Sequence, residues 1–387
     1  MLKVAIAPDS FKGSMTAMQA AVQIESGLKR ALSGVSCRKI PMADGGEGTV
    51  QAIVDATGGK FLKRTVSDPL GRRIKATFGL SGDGTTAVME MAEANGLALL
   101  KPRERNPMKT STYGTGELMK HALKLGVRKI LIGIGGSATN DGGTGMAEAL
   151  GARFLDAKGK PLSGCGGNLG KIATIDMSGL DPRLKNVHVE VACDVDNPLT
   201  GRHGAAQVYG PQKGASPTMV KQLDAGLKSL AGVIKRDIGI SILKAPGSGA
   251  AGGLGGGLMA FVGGQLRPGV DIVIDSVKLA RRIKGCDLVI TGEGRMDHQT
   301  AFGKTPAGVA RVAKEQGLPV MAICGCLGKD PQIVNTIGID AFFASQENNI
   351  REEDLPKIAP RNLANCAEQL GRLLAIDLGK PPKLRKR

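Results

Sequence analysis

The sequence predicts an α/β protein in two domains, one built around a parallel sheet and the other inserted into it. Three observations predict this. At both ends of the chain short apolar runs alternate with amphipathic helical stretches, the pattern of parallel strands joined by crossover helices. In the middle the pattern changes to alternating, strand-rich segments. And 387 residues are too many for one ordinary core. The simplest division assigns residues 1–80 and 285–387 to the discontinuous domain and 81–284 to the insertion, with the glycine loops gathered in the cleft between them.

The elements follow in order. A short buried strand, Lys3 to Ala7, ends at Pro8 and delivers the loop Asp9-Ser-Phe-Lys-Gly-Ser14. A helix with Ala, Val, Ile and Leu on one face is expected from Met15 to Leu32; Asp9, Ser10, Lys12 and Ser14 then sit at the carboxyl end of the strand, with capping of the helix by Ser14 alone as the competing plain reading. The second strand, Arg38 to Met42, leads into Ala43-Asp-Gly-Gly-Glu-Gly-Thr49 and a helix to Ala56. Alternating segments follow at 63–67, 74–78 and 86–91, then Tyr113-Gly-Thr-Gly116, which precedes a helix reaching Leu125.

Ile130 to Ile132 reads as a buried strand that opens into Gly133-Ile-Gly-Gly-Ser-Ala-Thr-Asn-Asp-Gly-Gly-Thr-Gly145. Glycines there leave backbone N–H groups open to an anion at little steric cost. The same device occurs twice: Asp44-Gly-Gly-Glu-Gly48 and Asp141-Gly-Gly-Thr-Gly145 each stand between a strand and a helix. Asp-Gly is also plain turn chemistry, so two similar turns without a ligand are the competing reading.

The strand Val187 to Val191 delivers Cys193-Asp-Val-Asp-Asn-Pro198. Asp194 and Asp196, two apart on extended chain, can face one side and suit a divalent cation, unless they are solvated strand-end aspartates. The basic loop Tyr209-Gly-Pro-Gln-Lys-Gly214 precedes an amphipathic helix from Pro217 to Lys235, and Gly249 to Gly257 opens a small-residue helix. Strand-helix alternation then returns at 288–290, 320–323 and 341–343, closing with a helix from Asn362 to Asp377. After the first of these strands, Thr291-Gly-Glu-Gly-Arg-Met-Asp297 mixes acids, one arginine and glycines, which fits neutralisation of phosphoryl charge beside a metal.

Composition narrows the partners. Lys+Arg of 52 against Asp+Glu of 35 gives a net charge of +17, which favours anionic ligands. Nucleic acid is disfavoured, because aromatics make up 3% with no Trp, and the basic residues are scattered except for the tail 380–387, read as a frayed end. Gly, at 57 residues, is about twice the usual ~7% and has no collagen-like period, so the excess belongs in tight loops. Seven widely spaced cysteines suit a reduced, cytoplasmic protein, and no stretch reads as a signal peptide or membrane span.

Two nucleotide templates fail in detail. Gly133 to Ala138 matches the dinucleotide fingerprint, with Asp156 near the ribose-binding distance, yet Asp141-Gly-Gly143 breaks the chain where that helix must run. Gly303-Lys-Thr305 resembles a P-loop ending, but the first glycine would fall at His298 and Pro306 follows at once.

Ala7 to Ser14, Ala43 to Thr49, Gly133 to Gly143, Cys193 to Pro198, Tyr209 to Ala215 and Thr291 to Arg295 together resemble the motif series of the bacterial type I glycerate kinases. The resemblance runs in order over nearly the whole chain; it departs at Phe343-Ala-Ser-Gln346, where a more apolar stretch is expected, and excludes the tail. It implies a discontinuous Rossmann-like domain with an inserted α/β domain and an active site in the cleft between them. It also implies ATP-dependent phosphorylation of D-glycerate with Mg²⁺, giving 2-phosphoglycerate, the 3-phosphate being the alternative product. The partners implied are these small molecules, with no nucleic acid and no membrane, in a monomer or homodimer.

On that reading Ser10, Gly45, Gly46, Glu47, Gly135, Gly136, Ser137, Thr139, Asn140, Asp141 and Glu293 bind phosphates or the glycerate carboxylate. Lys12, Lys213 and Arg295 supply positive charge, and Asp194 and Asp196 hold Mg²⁺. Asp44 or Asp297 accepts the hydroxyl proton. A nicotinamide-dependent dehydrogenase is the competing enzyme class.

Overall fold

The computed structural model describes residues 1–346 and 351–376. It divides into two units. One comprises Met1–Asp44, Gln51–Ala56 and the chain from Val273; the other comprises Gly45–Val50 and Thr57–Ile272.

In the first unit five parallel strands lie in the order Ser36–Lys39, Lys3–Pro8, Leu288–Gly292, Val320–Cys324, Ala341–Ala344. Counted along the chain this is 2-1-3-4-5, the doubly wound order of flavodoxin-like sheets. The order reverses between Lys3–Pro8 and Leu288–Gly292, which run side by side from Val4 against Leu288 to Pro8 against Gly292. Both are apolar runs buried on both faces, as central parallel strands must be.

The helix Ala17–Ala31 is capped by Thr16, not Ser14: Thr16 Oγ1 accepts from Gln19 N–H at 3.2 Å, and the Gln19 side chain returns the bond to Thr16 N–H at 2.9 Å. Ser14 instead donates its hydroxyl to the Phe11 carbonyl. Its apolar face, with Ile24 and Leu28, packs in one core with Leu363, Ala367 and Leu370 of the closing helix Leu355–Leu374. Gly27 makes that packing possible, because a Cβ there would lie 2.1 Å from the Ala364 carbonyl oxygen. The expected end of the closing helix at Asp377, and the basic tail, lie outside the described residues.

The second unit holds a six-stranded mixed sheet. Gln265–Arg267, His188–Ala192, Lys129–Gly133 and Thr86–Glu90 run parallel, followed by Arg73–Leu80 and Lys60–Ser67 as an antiparallel pair. The division expected at residue 80 therefore differs from the one observed. The hairpin 60–80 belongs to this sheet, since Gly79 and Leu80 pair with Val88 and Ala87. Likewise this unit ends at Ile272, not at residue 284. A small three-stranded sheet, Arg153–Leu155 with Pro161–Leu162 and Thr174–Asp176, carries Phe154, whose ring meets Phe261 edge-on at 5.7 Å.

After Lys129–Gly133 the chain stays irregular to Thr144, where the helix Thr144–Ala149 starts. No helix opens within Gly133–Ala138, so the dinucleotide fingerprint is not realised. The helix Ala250–Val262 begins with three left-handed residues, Ala251, Gly252 and Gly253, at φ 53°, 72° and 88°. That turn presses on the glycine loop so closely that a Cβ on Gly252 would sit 2.0 Å from the Thr139 carbonyl oxygen. Among the described residues no helix is long and apolar enough to cross a membrane.

Candidate active site

The first unit carries a cavity of about 300 Å³ at the carboxyl ends of its central strands. Lys3–Pro8 delivers Asp9, Ser10 and Lys12 to its wall, and Leu288–Gly292 delivers Glu293 and Arg295. This is the point where the strand order reverses, the usual ligand position in doubly wound sheets. Asp44 and Lys304 complete its charged lining. Ser345 and Gln346 also line it.

Two carboxyls in this wall are held out of water. Asp9, 8% exposed, accepts from Ser10 N–H and from the Thr305 hydroxyl, both at 2.6 Å. Burial pushes its pKa up to about 6, the Thr305 bond opposes this, and the neighbouring charge of Asp44 reinforces it. Glu293, 7% exposed, accepts from the Thr300 hydroxyl at 2.5 Å. Burial raises it to about 7 against that bond and the charge of Lys304, whose Nζ is 3.7 Å away. A carboxyl that titrates near neutrality can take a proton and release it again.

Asp297 is not among the residues lining this cavity. Its carboxylate caps the turn His298–Ala301 through Gln299 N–H and pairs with Arg295 Nε at 3.5 Å and Lys304 Nζ at 3.7 Å.

The second unit carries a cavity of about 340 Å³, again at the carboxyl ends of parallel strands. Gly45, Gly46, Gly135, Gly136, Ser137 and Asp194 supply its polar wall. Leu97, Ile134, Val195 and Ala250 supply an apolar one, with Tyr209 and Gln212 beside them. Gly45 and Gly136 have φ of +95° and +71°, conformations that favour glycine. Gly45 also lies so near the chain that a Cβ would fall 2.4 Å from Gly269 Cα. Asp194 Oδ1 accepts from Gly269 N–H at 2.9 Å, which fixes its carboxylate at the wall.

Asp196 is exposed and lines neither cavity, and the same is true of Glu47. Among the described residues no cluster of three or more His, Cys, Asp or Glu is placed to hold a metal. Mg²⁺ accompanying a nucleotide needs only one or two carboxylates, the rest of its shell being phosphate and water, so Asp194 fits that use without Asp196.

Asp141 is an internal staple. Fully buried, it accepts from Thr112 N–H and Oγ1 at 2.7 and 2.8 Å, and from the N–H groups of Gly143 and Gly145 at 3.0 and 3.2 Å. Its carboxylate thus shapes the loop and lines neither cavity. Thr139 and Asn140 are also fully buried and line neither cavity. Lys213 is buried behind the wall, where burial pushes its pKa down to about 7 against the opposing charge of Asp141.

The sequence-predicted residues therefore sort into two cavities and a supporting layer, with Glu47 and Asp196 exposed outside all three. Ser10, Lys12, Asp44, Glu293 and Arg295 share the first; Gly45, Gly46, Gly135, Gly136, Ser137 and Asp194 share the second. Sequence reasoning missed Asp9, although it shares a loop with Ser10 and Lys12 at a strand end. It also missed Lys304, which stood in the failed P-loop match.

The sequence of this chain matches the glycerate kinase family over residues 4–375. It is 53% identical to the glycerate kinase of Haemophilus influenzae over 97% of this chain and 99% of that one. The glycerate 2-kinase of Escherichia coli K12 is 46% identical, again over 97% and 99% of the two chains. In three dimensions, a Salmonella typhimurium LT2 chain described as glycerate kinase 2 matches with a TM-score of 0.89 at 48% identity, covering 97% of this chain and 98% of that one. With the family pattern spanning nearly every residue, and relatives of equal length sharing about half of them, this chain belongs to the glycerate kinase family.

Proposed function

We propose that the protein transfers the γ-phosphoryl group of ATP to the 2-hydroxyl of D-glycerate, giving 2-phosphoglycerate. The observation that carries this reading is the switch-point cavity, where cations and acids titrating near neutrality share one wall. Phosphoryl transfer asks for that mixture: a fixed anionic substrate, an acceptor for one proton and neutralised phosphate charge. The 2-kinase name of the Escherichia coli relative supports the choice of hydroxyl.

In this proposal the first cavity takes glycerate. Lys12, Lys304 and Arg295 hold its carboxylate, Arg295 as a planar fork. Glu293 accepts the proton of the attacking hydroxyl, with Asp9 and Asp44 on the same wall. The second cavity takes ATP, its phosphates against the N–H groups at 45–46 and 135–137 and its base against the apolar side. Asp194 would hold Mg²⁺, which when bound neutralises phosphate charge.

The division of labour is tested by steady-state kinetics. Lys12→Ala and Arg295→Ala are expected to raise KM for D-glycerate about tenfold or more while KM for ATP stays within about twofold. A rise confined to ATP would reverse the assignment of the two cavities.

A further inference from the structure

Lys213 lies in the turn Pro211–Lys213 and is 1% exposed. An ammonium group has three N–H donors and no acceptor, and burying one is costly unless its protons are taken up. A buried ammonium usually finds a carboxylate; here Nζ donates to Ser137 Oγ at 2.6 Å and to the Thr139 carbonyl at 2.7 Å. Ser137, 7% exposed, stands in the wall of the second cavity next to Gly135 and Gly136. A hydroxyl has a single proton and two lone pairs. With one lone pair engaged by a group that cannot accept, the Ser137 proton has to be donated elsewhere.

We propose that Lys213 is a positioning residue that never touches the ligand and instead fixes Ser137 as a hydrogen-bond donor to an anionic oxygen in the second cavity. This rests on the reading that ATP phosphate occupies that cavity. Loss of the Lys213 proton reverses the arrangement. A neutral amine offers a lone pair, Ser137 donates to it, and the serine lone pairs left facing the cavity repel a phosphate oxygen. Burial brings that event near neutral pH. The charged residues packed near the turn are Asp141, whose negative charge favours the ammonium, and Arg105, whose carbonyl and Cβ lie against Gly214. A bound phosphate likewise favours the ammonium, so the ligand and the Lys213 proton bind cooperatively.

The test is the Kd of Mg·ATP without glycerate, measured calorimetrically on the full chain for wild type, Ser137→Ala, Lys213→Arg and the double variant. The ratio of the Ser137→Ala value to the wild-type value cancels the titration of ATP itself. It is expected to be about tenfold near pH 6 and to fall to about one near pH 8.5. On the Lys213→Arg background, where the charge cannot be lost, it stays about tenfold at both pH values. Should that variant not fold, the ratio on the wild-type background alone decides. A ratio near one at both pH values, or one equal at both on the wild-type background, would overturn the proposal. If the predicted ratio is found for D-glycerate in place of ATP, the donor role stands and the placement of ATP falls.

Discussion

Glu293 shows how one buried side chain joins stability to chemistry. Its folded pKa of about 7 lies above the ordinary 4.5, because burial disfavours the charged form. The folded state therefore holds this proton more tightly than the unfolded chain does. Its contribution is fully present below about pH 4.5 and is lost as pH rises through about 7. Glu293→Gln removes the charge, so relative to wild type it should be more stable at pH 8 than at pH 5, by on the order of 2–3 kcal/mol. If Glu293 accepts the hydroxyl proton, the same variant loses about 10²-fold or more in kcat. Denaturant melts at both pH values and a kcat measurement check the pair; unchanged stability differences, or near-normal turnover, would remove Glu293 from this role. Asp141 marks what the sequence could not reveal at this scale. It shares Asp-Gly-Gly-x-Gly with Asp44, yet its carboxylate turns inward on four donors while Asp44 lines a cavity. Spacing fixes which loop a carboxylate belongs to, and only packing decides which way it faces.

At the scale of elements, the strand ends and the glycine loops were legible because each depends on local chemistry. An apolar run followed by small polar residues becomes a strand with a loop at its carboxyl end, as in Lys3–Pro8 and Lys129–Gly133. The hairpin 60–80 was legible as two strands, but its sheet was not, because pairing with Thr86–Glu90 is a tertiary fact. The glycines of helices behave similarly. Gly27→Ala in an exposed helix would gain about 1 kcal/mol from propensity. Here the added Cβ would meet the Ala364 carbonyl oxygen at 2.1 Å and Ala367 Cβ at 2.7 Å, so the packed helix must shift. Overpacking of this kind costs about 1–3 kcal/mol. We expect a lower denaturation midpoint with an unchanged denaturant slope, and a raised midpoint would show that the helix pair is looser than described.

For the whole molecule, the net charge of +17 and the scarcity of aromatics point to small anionic ligands, and the first cavity, with Lys12, Arg295 and Lys304 in its wall, answers to that description. The strand order 2-1-3-4-5 was not readable from the sequence, since its third, fourth and fifth strands come from the far end of the chain. Yet it is this order that sets Asp9 and Lys12 beside Glu293 and Arg295 at a reversal point. On the proposed function, a carboxylate-bearing substrate is fixed there with its 2-hydroxyl against a proton acceptor. The direct measurement is the phosphorus NMR spectrum of the purified protein turning over ATP and D-glycerate. Equal amounts of 2-phosphoglycerate and ADP are expected; formation of 3-phosphoglycerate, or ATP consumption independent of glycerate, would contradict this placement of the substrate.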